Sequence, residues 1–437
     1  MTRHLLLVLL CIAVMQNATK AADWPMWRGA SQNGRTSNEV AQAPIRWSAE
    51  KTEGVRWKVP LPGPGNSSPI VVGDDVVVTQ FDPQTRDRLV LCFDRMSGRE
   101  RWRFARRVEK DEWTHPNNPH CTATPAADGS RIVAFLGSAG LVCLDRDGKL
   151  LWERRWGVPQ HLYGGGPSPV IHEDVCVVTF GPGTEQFYAG LSIQDGKTIW
   201  KIEMPRVDAP NPLEGPNAPP LPKETDLKDP FGSWATPMLV RSESGRTELI
   251  LTMPGEVRAI NPATGETYWY GGGTGAQVLI SPTFGSGTLV FQSGFALAMK
   301  PGGDGELSEE DALWTTNPDP GRIGSSVVVD DRVYGITMNG ILDCVSLLDG
   351  ETLWRERLRV ASRRGGSWCS LVADGDQIYA TAQDGTTFVF RAGDQLEIIA
   401  KNELNELINA TPAIADKQVF LRTAKHLWCI ETSDKKS

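Results

Sequence analysis

One short motif recurs along this chain at a near-constant interval, and few folds accommodate that. Ser-Pro or Thr-Pro pairs stand at Ser68-Pro69, Thr124-Pro125, Ser168-Pro169, Thr236-Pro237, Ser281-Pro282 and Thr411-Pro412, with degenerate copies at Ser325-Ser326 and Cys369-Ser370. Their second members are spaced by 56, 44, 68, 45, 44, 44 and 42 residues. Five of the seven intervals lie between 42 and 45, and the other two are longer by insertion. A fixed period of this size marks a propeller or a helical array.

The pattern inside each unit decides between the two. Short runs such as RIVAF, VVVTQF, CVVTF, RVYGITM, QIYATA and QVFLRT follow the pairs. They are rich in Val, Ile, Phe and Thr and are punctuated by Gly, Asp and Asn, which reads as antiparallel strands and turns. Each unit has room for about four strands, and four-stranded sheets repeated radially form a β-propeller. The units end alike, in MSGRERW, RDGKLLW, QDGKTIW, ATGETYW and LDGETLW, with DALW after the polar insertion PGGDGELSEE. The Gly supplies the positive φ of a tight hairpin. Trp102, Trp152, Trp200, Trp269, Trp314 and Trp354 then fall on the outer strand, where they are expected to pack between blades. VRWKVPL around Trp57 reads as an orphan outer strand, and the eighth unit, from Thr411, is one strand short. Joining the two closes the ring without a free edge. The expectation is an all-β, eight-bladed propeller over residues 23–437, its N- and C-terminal strands sharing one blade. The seventh unit has EIIAKNEL in place of the Trp ending, so a weaker blade contact is expected there.

The N-terminus begins with a basic start, Arg3-His4, followed by an apolar run from Leu5 to Met15 and by Ala21-Ala22. That is the layout of an export signal over residues 1–22. The net charge of −8 and the absence of a basic tract argue against a nucleic-acid partner. No segment of the mature chain is apolar enough to cross a membrane, and a monomer is expected.

The SP/TP starts and the DGKxxW and TGExxW endings resemble the quinoprotein-type repeats of pyrroloquinoline-quinone (PQQ) dehydrogenases. They are equally similar to the propeller lipoprotein of the outer-membrane barrel-assembly machinery. WPMWRGASQNG (Trp24 to Gly34) and NATPAIADKQVFLRTAKHLWCI (Asn409 to Ile430) resemble the ends of secreted bacterial PQQ-like repeat proteins. The dehydrogenase resemblance implies PQQ with calcium in a central channel, beside a disulfide between neighbouring cysteines. The chain has no Cys-Cys pair and no C-x-x-C-H haem motif. No Asp or Glu maps onto that family's base or calcium ligands. No cofactor is therefore assigned from the residues themselves.

Beyond Cys11, seven cysteines remain. Cys92, Cys143, Cys344 and Cys429 share one register on the third strand, with equivalent atoms of adjacent blades roughly 10 Å apart, beyond the ~7 Å reach of a disulfide. They read as small apolar core residues. Cys121 and Cys369 are the one pair to inspect. The six histidines show no metal spacing.

The segments before each first strand deliver the chain to the axis, where ligands bind. His115, Asn118, His120, His161, Tyr163, Trp234, Gln277, Arg322 and Trp368 are accordingly the candidates for a channel-rim site, with no catalytic or metal residue among them. Gly164-Gly165-Gly166 and Gly271-Gly272-Gly273 lack the following Lys and helix of a phosphate loop, so close approach of strands explains them. A Pro-rich insertion at about 205–230 reads as a surface excursion. WPMWRG is expected to pack across the propeller, since exposing two Trp is unfavourable. The function expected is a ligand- or protein-binding scaffold of the cell envelope without its own catalysis, its partner an envelope protein or a small ligand. A PQQ- and calcium-dependent alcohol or sugar dehydrogenase and an outer-membrane assembly scaffold are the alternatives.

Overall fold

A computed structural model describes residues 23–432 except 160, 162, 184, 210–230, 294–295, 318–320 and 360–365. The expected export signal and most of the Pro-rich insertion lie outside the described residues. The described chain forms eight antiparallel four-stranded sheets, one of them extended by a fifth strand. It contains no α-helix, only 3-10 turns at Gly137–Ala139 and Glu309–Asp311. Blade 1 shows the common order from axis to rim: Ile70–Val72, Asp75–Phe81, Asp87–Asp94 and Glu100–Arg107. Blade 8 takes three strands from Ala413–Ala415, Gln418–Arg422 and His426–Glu431, and its fourth from Val55–Pro60 at the other end of the chain. The second and third strands are buried almost throughout (in Asp75–Phe81 only Phe81 is partly exposed), whereas the outer strands alternate. This is the contrast expected of sheets covered on both faces and then meeting solvent at the rim.

The Trp repeat holds blade to blade. The indoles of Trp57, Trp102, Trp152, Trp200, Trp314 and Trp354 each donate to a backbone carbonyl of the next blade: Arg95, Arg146, Ile193, Pro262, Leu347 and Gly393, at 2.8–3.1 Å. The hairpin Gly of that next blade lies under the ring. A Cβ at Gly98, Gly148, Gly196, Gly265 or Gly350 would sit 2.5–2.7 Å from the Trp of the preceding blade, and φ there is +70° to +81°. Opposite the Trp on the third strand stands a small residue: Cys92, Cys143, Gly190, Ala259, Ala298, Cys344 or Cys429. The shared cysteine register is therefore a space requirement of the indole.

Trp269 departs from the pattern. Its indole donates to Glu248 Oε2 of its own blade at 2.8 Å, because the insertion after Met299 replaces the regular hairpin of blade 5. Part of that insertion, Gly305–Glu306, adds to the outer edge of blade 4 as a parallel fifth strand. A cavity of about 450 Å³ opens there, lined by Trp269, Leu297, Leu307 and Asp311 among others.

Two expectations change. In the seventh unit, the residue equivalent to the other ring-forming hydroxyls is Ser370, not Cys369, as its hydrogen bonding below shows. The weak contact expected at blade 7 is filled from elsewhere. Ala400 occupies the Trp position there, opposite Val389, and Trp47 from the N-terminal segment covers it. Trp47 stacks on Tyr379 (centroids 6.5 Å apart), and its backbone N–H donates to Asn402 Oδ1 at 2.8 Å. Trp47 makes the packing without the indole hydrogen bond, since its Nε1 has no partner among the described residues.

The seven described cysteines are buried and free. Cys121 and Cys369 do not pair. They lie in different apolar clusters, the Cys369 thiol donates to Ala410 O at 3.2 Å, and burial pushes both thiols up to about 12.

Candidate functional site

The repeated Ser/Thr residues meet at the axis. The backbone N–H of each donates to the hydroxyl of its counterpart in the next blade, from Ser68 through Thr124, Ser168, Thr236, Ser281, Ser325 and Ser370 to Thr411, at 2.8–3.1 Å. All eight side chains face one cavity of about 370 Å³. The Pro that follows in most copies has no N–H and a fixed φ, which suits the first residue of an inner strand.

The loops preceding the ring frame one mouth of this cavity, and the N-terminal segment closes the other. Trp24 pairs with Val71 of blade 1. Pro25 O accepts from Ala127 N of blade 2, and Gln32 bonds Pro237 O and Leu239 N of blade 4. Gly34 and Thr36 bond Ala373 of blade 7. These partners follow the ring residues in their strands, so this strap plugs the side away from the loops. Trp27 reaches the cavity as its floor. Beneath it the guanidinium of Arg28, 5.6 Å from the Trp27 ring centroid, is fully buried and bonds the carbonyls of Pro282, Asn33 and Ser326. WPMWRG thus crosses the propeller as expected, and its second Trp becomes part of the site.

Of the nine candidates, His115, Asn118, Tyr163, Trp234, Gln277 and Trp368 line the cavity. Their rings form a continuous wall. His115 lies against Tyr163 (6.0 Å, edge-on) and Trp368 (6.4 Å, stacked), and Tyr163 against Trp234 (5.7 Å). The Trp234 indole donates to Gly164 O at 2.9 Å, and Gly166 passes so close that a Cβ would lie 3.1 Å from Trp234 Cδ1. Close approach therefore explains Gly166 of the first Gly triplet, whereas Gly164 is set by its φ of +73° and Gly165 has nothing within 4 Å of a Cβ. Asn118 Nδ2 donates to Tyr163 O and Gly165 O, both at 2.7 Å, which ties the loops of blades 2 and 3 together. His115 Nδ1 accepts from Asn117 N at 3.2 Å, leaving Nε2 as the N–H of the neutral ring. Burial lowers the His115 pKa and favours that neutral form.

Three candidates are placed elsewhere. His120 lies between blades 1 and 2, with Glu112 Oε1 at 3.1 Å and Phe81 edge-on at 4.7 Å. Its loop turns it away from the axis toward the buried Arg88–Glu112 pair. Arg322 is drawn outward into an ion pair with Asp343 between blades 5 and 6. His161 is buried behind the wall, 4.5 Å edge-on to Trp234, and supports that ring rather than the cavity. Spacing could not distinguish these directions: His120 and Gln277 both stand four residues before their ring residues, Thr124 and Ser281, yet only Gln277 lines the cavity.

Other lining residues escaped the sequence reading: Trp27, Asn66, Asn409, Leu279, Ile323 and Met338. Asn66 and Asn409 carried a signal in their position just before the ring residue, as both stand two residues before Ser68 and Thr411. Among the described residues no Asp, Glu, Lys or Arg lines the cavity.

The match to known proteins follows from this architecture. The family profile described as outer membrane protein assembly factor BamB matches residues 44–160 and 191–437. The chain belongs to the BamB family. Among solved structures it is similar to BamB from Moraxella catarrhalis, at 16% identity and TM-score 0.57, over 86% of this chain and 98% of that one. Quinohemoprotein alcohol dehydrogenase from Comamonas testosteroni gives 11% identity and TM-score 0.67, over 97% and 82%. A europium-containing methanol dehydrogenase gives 10% and 0.67, over 94% and 98%. None of the curated proteins matches the chain. At these identities the structures show a shared PQQ-like propeller fold.

PQQ with calcium does not fit the lining of this BamB-family pocket. Calcium takes six to eight oxygen ligands, normally including carboxylates. Among the described residues the cavity offers amide, hydroxyl and carbonyl oxygens but no carboxylate, and no Lys or Arg to meet the three acid groups of PQQ. Among the described residues no three His, Cys, Asp or Glu are grouped to hold a metal.

Proposed function

We propose that this BamB-family chain is a non-catalytic binding module of the cell envelope whose axial pocket takes one small, flat ligand. The observation that carries the reading is the aromatic wall over a blind, uncharged cavity of about 370 Å³. That size and lining suit a compact ligand held by stacking, with a few polar groups to orient it. The amides and the neutral His115 supply those groups. Residues 1–22 act as the export signal, and the exported disc works as a monomer.

The test is calorimetric titration of the mature chain with flat aromatic compounds, alongside Trp234→Ala. One-to-one saturable binding that weakens at least tenfold in the variant supports the reading. Equal binding by both proteins places the ligand elsewhere and overturns it. PQQ titrated with and without calcium is expected to show no calcium-dependent binding.

The family match favours a second role, as a scaffold in assembly of outer-membrane proteins, with partners on the disc faces. Co-purification of outer-membrane assembly components with the tagged chain from envelope extracts checks this role; their absence counts against it.

A further inference from the structure

We propose that the axial pocket selects a ligand with one carboxylate on an aromatic body and binds it without a metal, the acid group directed to the hydroxyl ring. This inference rests on the pocket reading above and specifies its ligand.

The ring is the first support. Seven of its hydroxyl oxygens accept a backbone N–H, yet none of the eight hydroxyls donates a hydrogen bond to another protein group among the described residues. A hydroxyl has one proton to give and two lone pairs. With a lone pair engaged by the neighbouring N–H, the proton is left for an acceptor, and the cavity is where these side chains face. The ring is thus a crown of donors, with no anionic side chain among the described lining residues to compete for them.

Uncompensated positive charge is the second support. Arg28 makes no ion pair among the described residues; its partners are carbonyls and the Thr283 hydroxyl at 3.4 Å. Arg422 is likewise fully buried and among the described residues bonds only Ser67 O (3.0 Å) and Gln80 Oε1 (2.6 Å). The two guanidinium groups bond Ser326 O and Ser67 O, each one residue from a ring member. A buried cation without a counter-charge is unfavourable, and in low dielectric its field reaches the neighbouring space weakly screened. An anion at the ring answers both cations. Trp27, stacked above Arg28, and the wall of Trp234, Tyr163 and Trp368 then take the flat body. The same arrangement disfavours a cationic ligand, and a neutral one leaves the guanidinium groups uncompensated.

Calorimetry on the mature chain with 2-naphthoate, 2-naphthamide and 2-naphthylmethylammonium tests this. The expected result is naphthoate binding at least tenfold tighter than naphthamide, no binding of the amine, and no change on adding EDTA. Ser325→Ala should weaken naphthoate by about tenfold, the value of one charge-assisted hydrogen bond, and naphthamide less. Equal affinity for acid and amide overturns the charge selection while leaving the pocket reading intact. Failure of all three probes to bind overturns both. Loss of naphthoate binding in EDTA overturns the metal-free site.

Discussion

A single hydrogen atom on the hairpin glycine is what lets each blade tryptophan lie flat on its neighbour. At Gly148 a Cβ would stand 2.5 Å from Trp102 Cε3, and φ is +81°. Gly148→Ala is therefore expected to cost about 2–3 kcal/mol, combining left-handed backbone strain with overpacking. Gly129→Ala, where nothing lies within 4 Å, should change stability by less than about 0.5 kcal/mol. Guanidinium unfolding of the two variants checks the contrast. Glu112 gives a pH prediction. Its burial opposes ionisation, but bonds from His120, Arg88 and Ser138 outweigh that and hold it at about 2. The folded pKa lies below the unfolded one, so its stabilisation is present above about 4.5 and is lost as pH falls toward 2. Glu112→Gln should flatten the stability profile in that window relative to wild type, measured by thermal unfolding at each pH. A matching decline in both proteins would show that Glu112 carries none of it. Sequence spacing marked the Gly and Trp positions because each copy repeats them. Arg28 and the Glu112 cluster occur once, so no repetition exposed them.

Between blades, the outer strands do more than close sheets. Beside each outer-strand Trp position, or Ala400 in blade 7, the pairing shifts register, as between Cys143 and Leu144 opposite Trp152 and Leu150. Leu151, Ile199, Leu313 and Leu353 fall in this shift and turn outward, 43–48% exposed. Such bulges bend an edge and discourage pairing with other chains. The blade 7 edge instead receives the N-terminal segment, through a parallel bridge of Ser48 to Glu403. Trp47→Ala should cost about 3–5 kcal/mol by opening a cavity beside Ala400. Hydrogen exchange should then rise in Glu397–Glu403 and in the shared blade 8, while blades 2 and 3 keep their protection. Uniform protection everywhere would mean that Trp47 does not secure the closure. The sequence revealed that blade 7 lacked a Trp; it could not reveal a substitute some 350 residues away, because only the closed ring brings residue 47 beside residue 400.

At the scale of the whole molecule, architecture was readable where it repeats and the site only where it follows the repeat. Eight units, four strands each, and the joined ends all emerge from spacing and alternation. The ring hydroxyls were visible as the Ser and Thr of the motif, but their shared cavity depends on the circle closing. Which of His115, His120 and His161 faces the axis depends on loop turns that have no periodic signature. The strap makes the cavity blind, and a chain beginning at Ser37, which keeps Trp47, should open it. That shortened protein is expected to lose ligand binding and to exchange faster at Thr283, Ser326 and Ala373, the segments the strap covers. Retained binding would show that Trp27 is not needed as a floor.

The shared blade also sets an order in time. Val55–Pro60 is synthesised long before His426–Glu431, and the strap before it needs blades 5, 6 and 7 as well. The earliest-made segment of the disc is therefore the last to dock. Until blade 7 is made Trp47 lacks the Tyr379 ring it stacks on, and until the final strands emerge Trp57 lacks its pairing partner Cys429, so these exposed indoles are what a holding chaperone would recognise on the nascent chain.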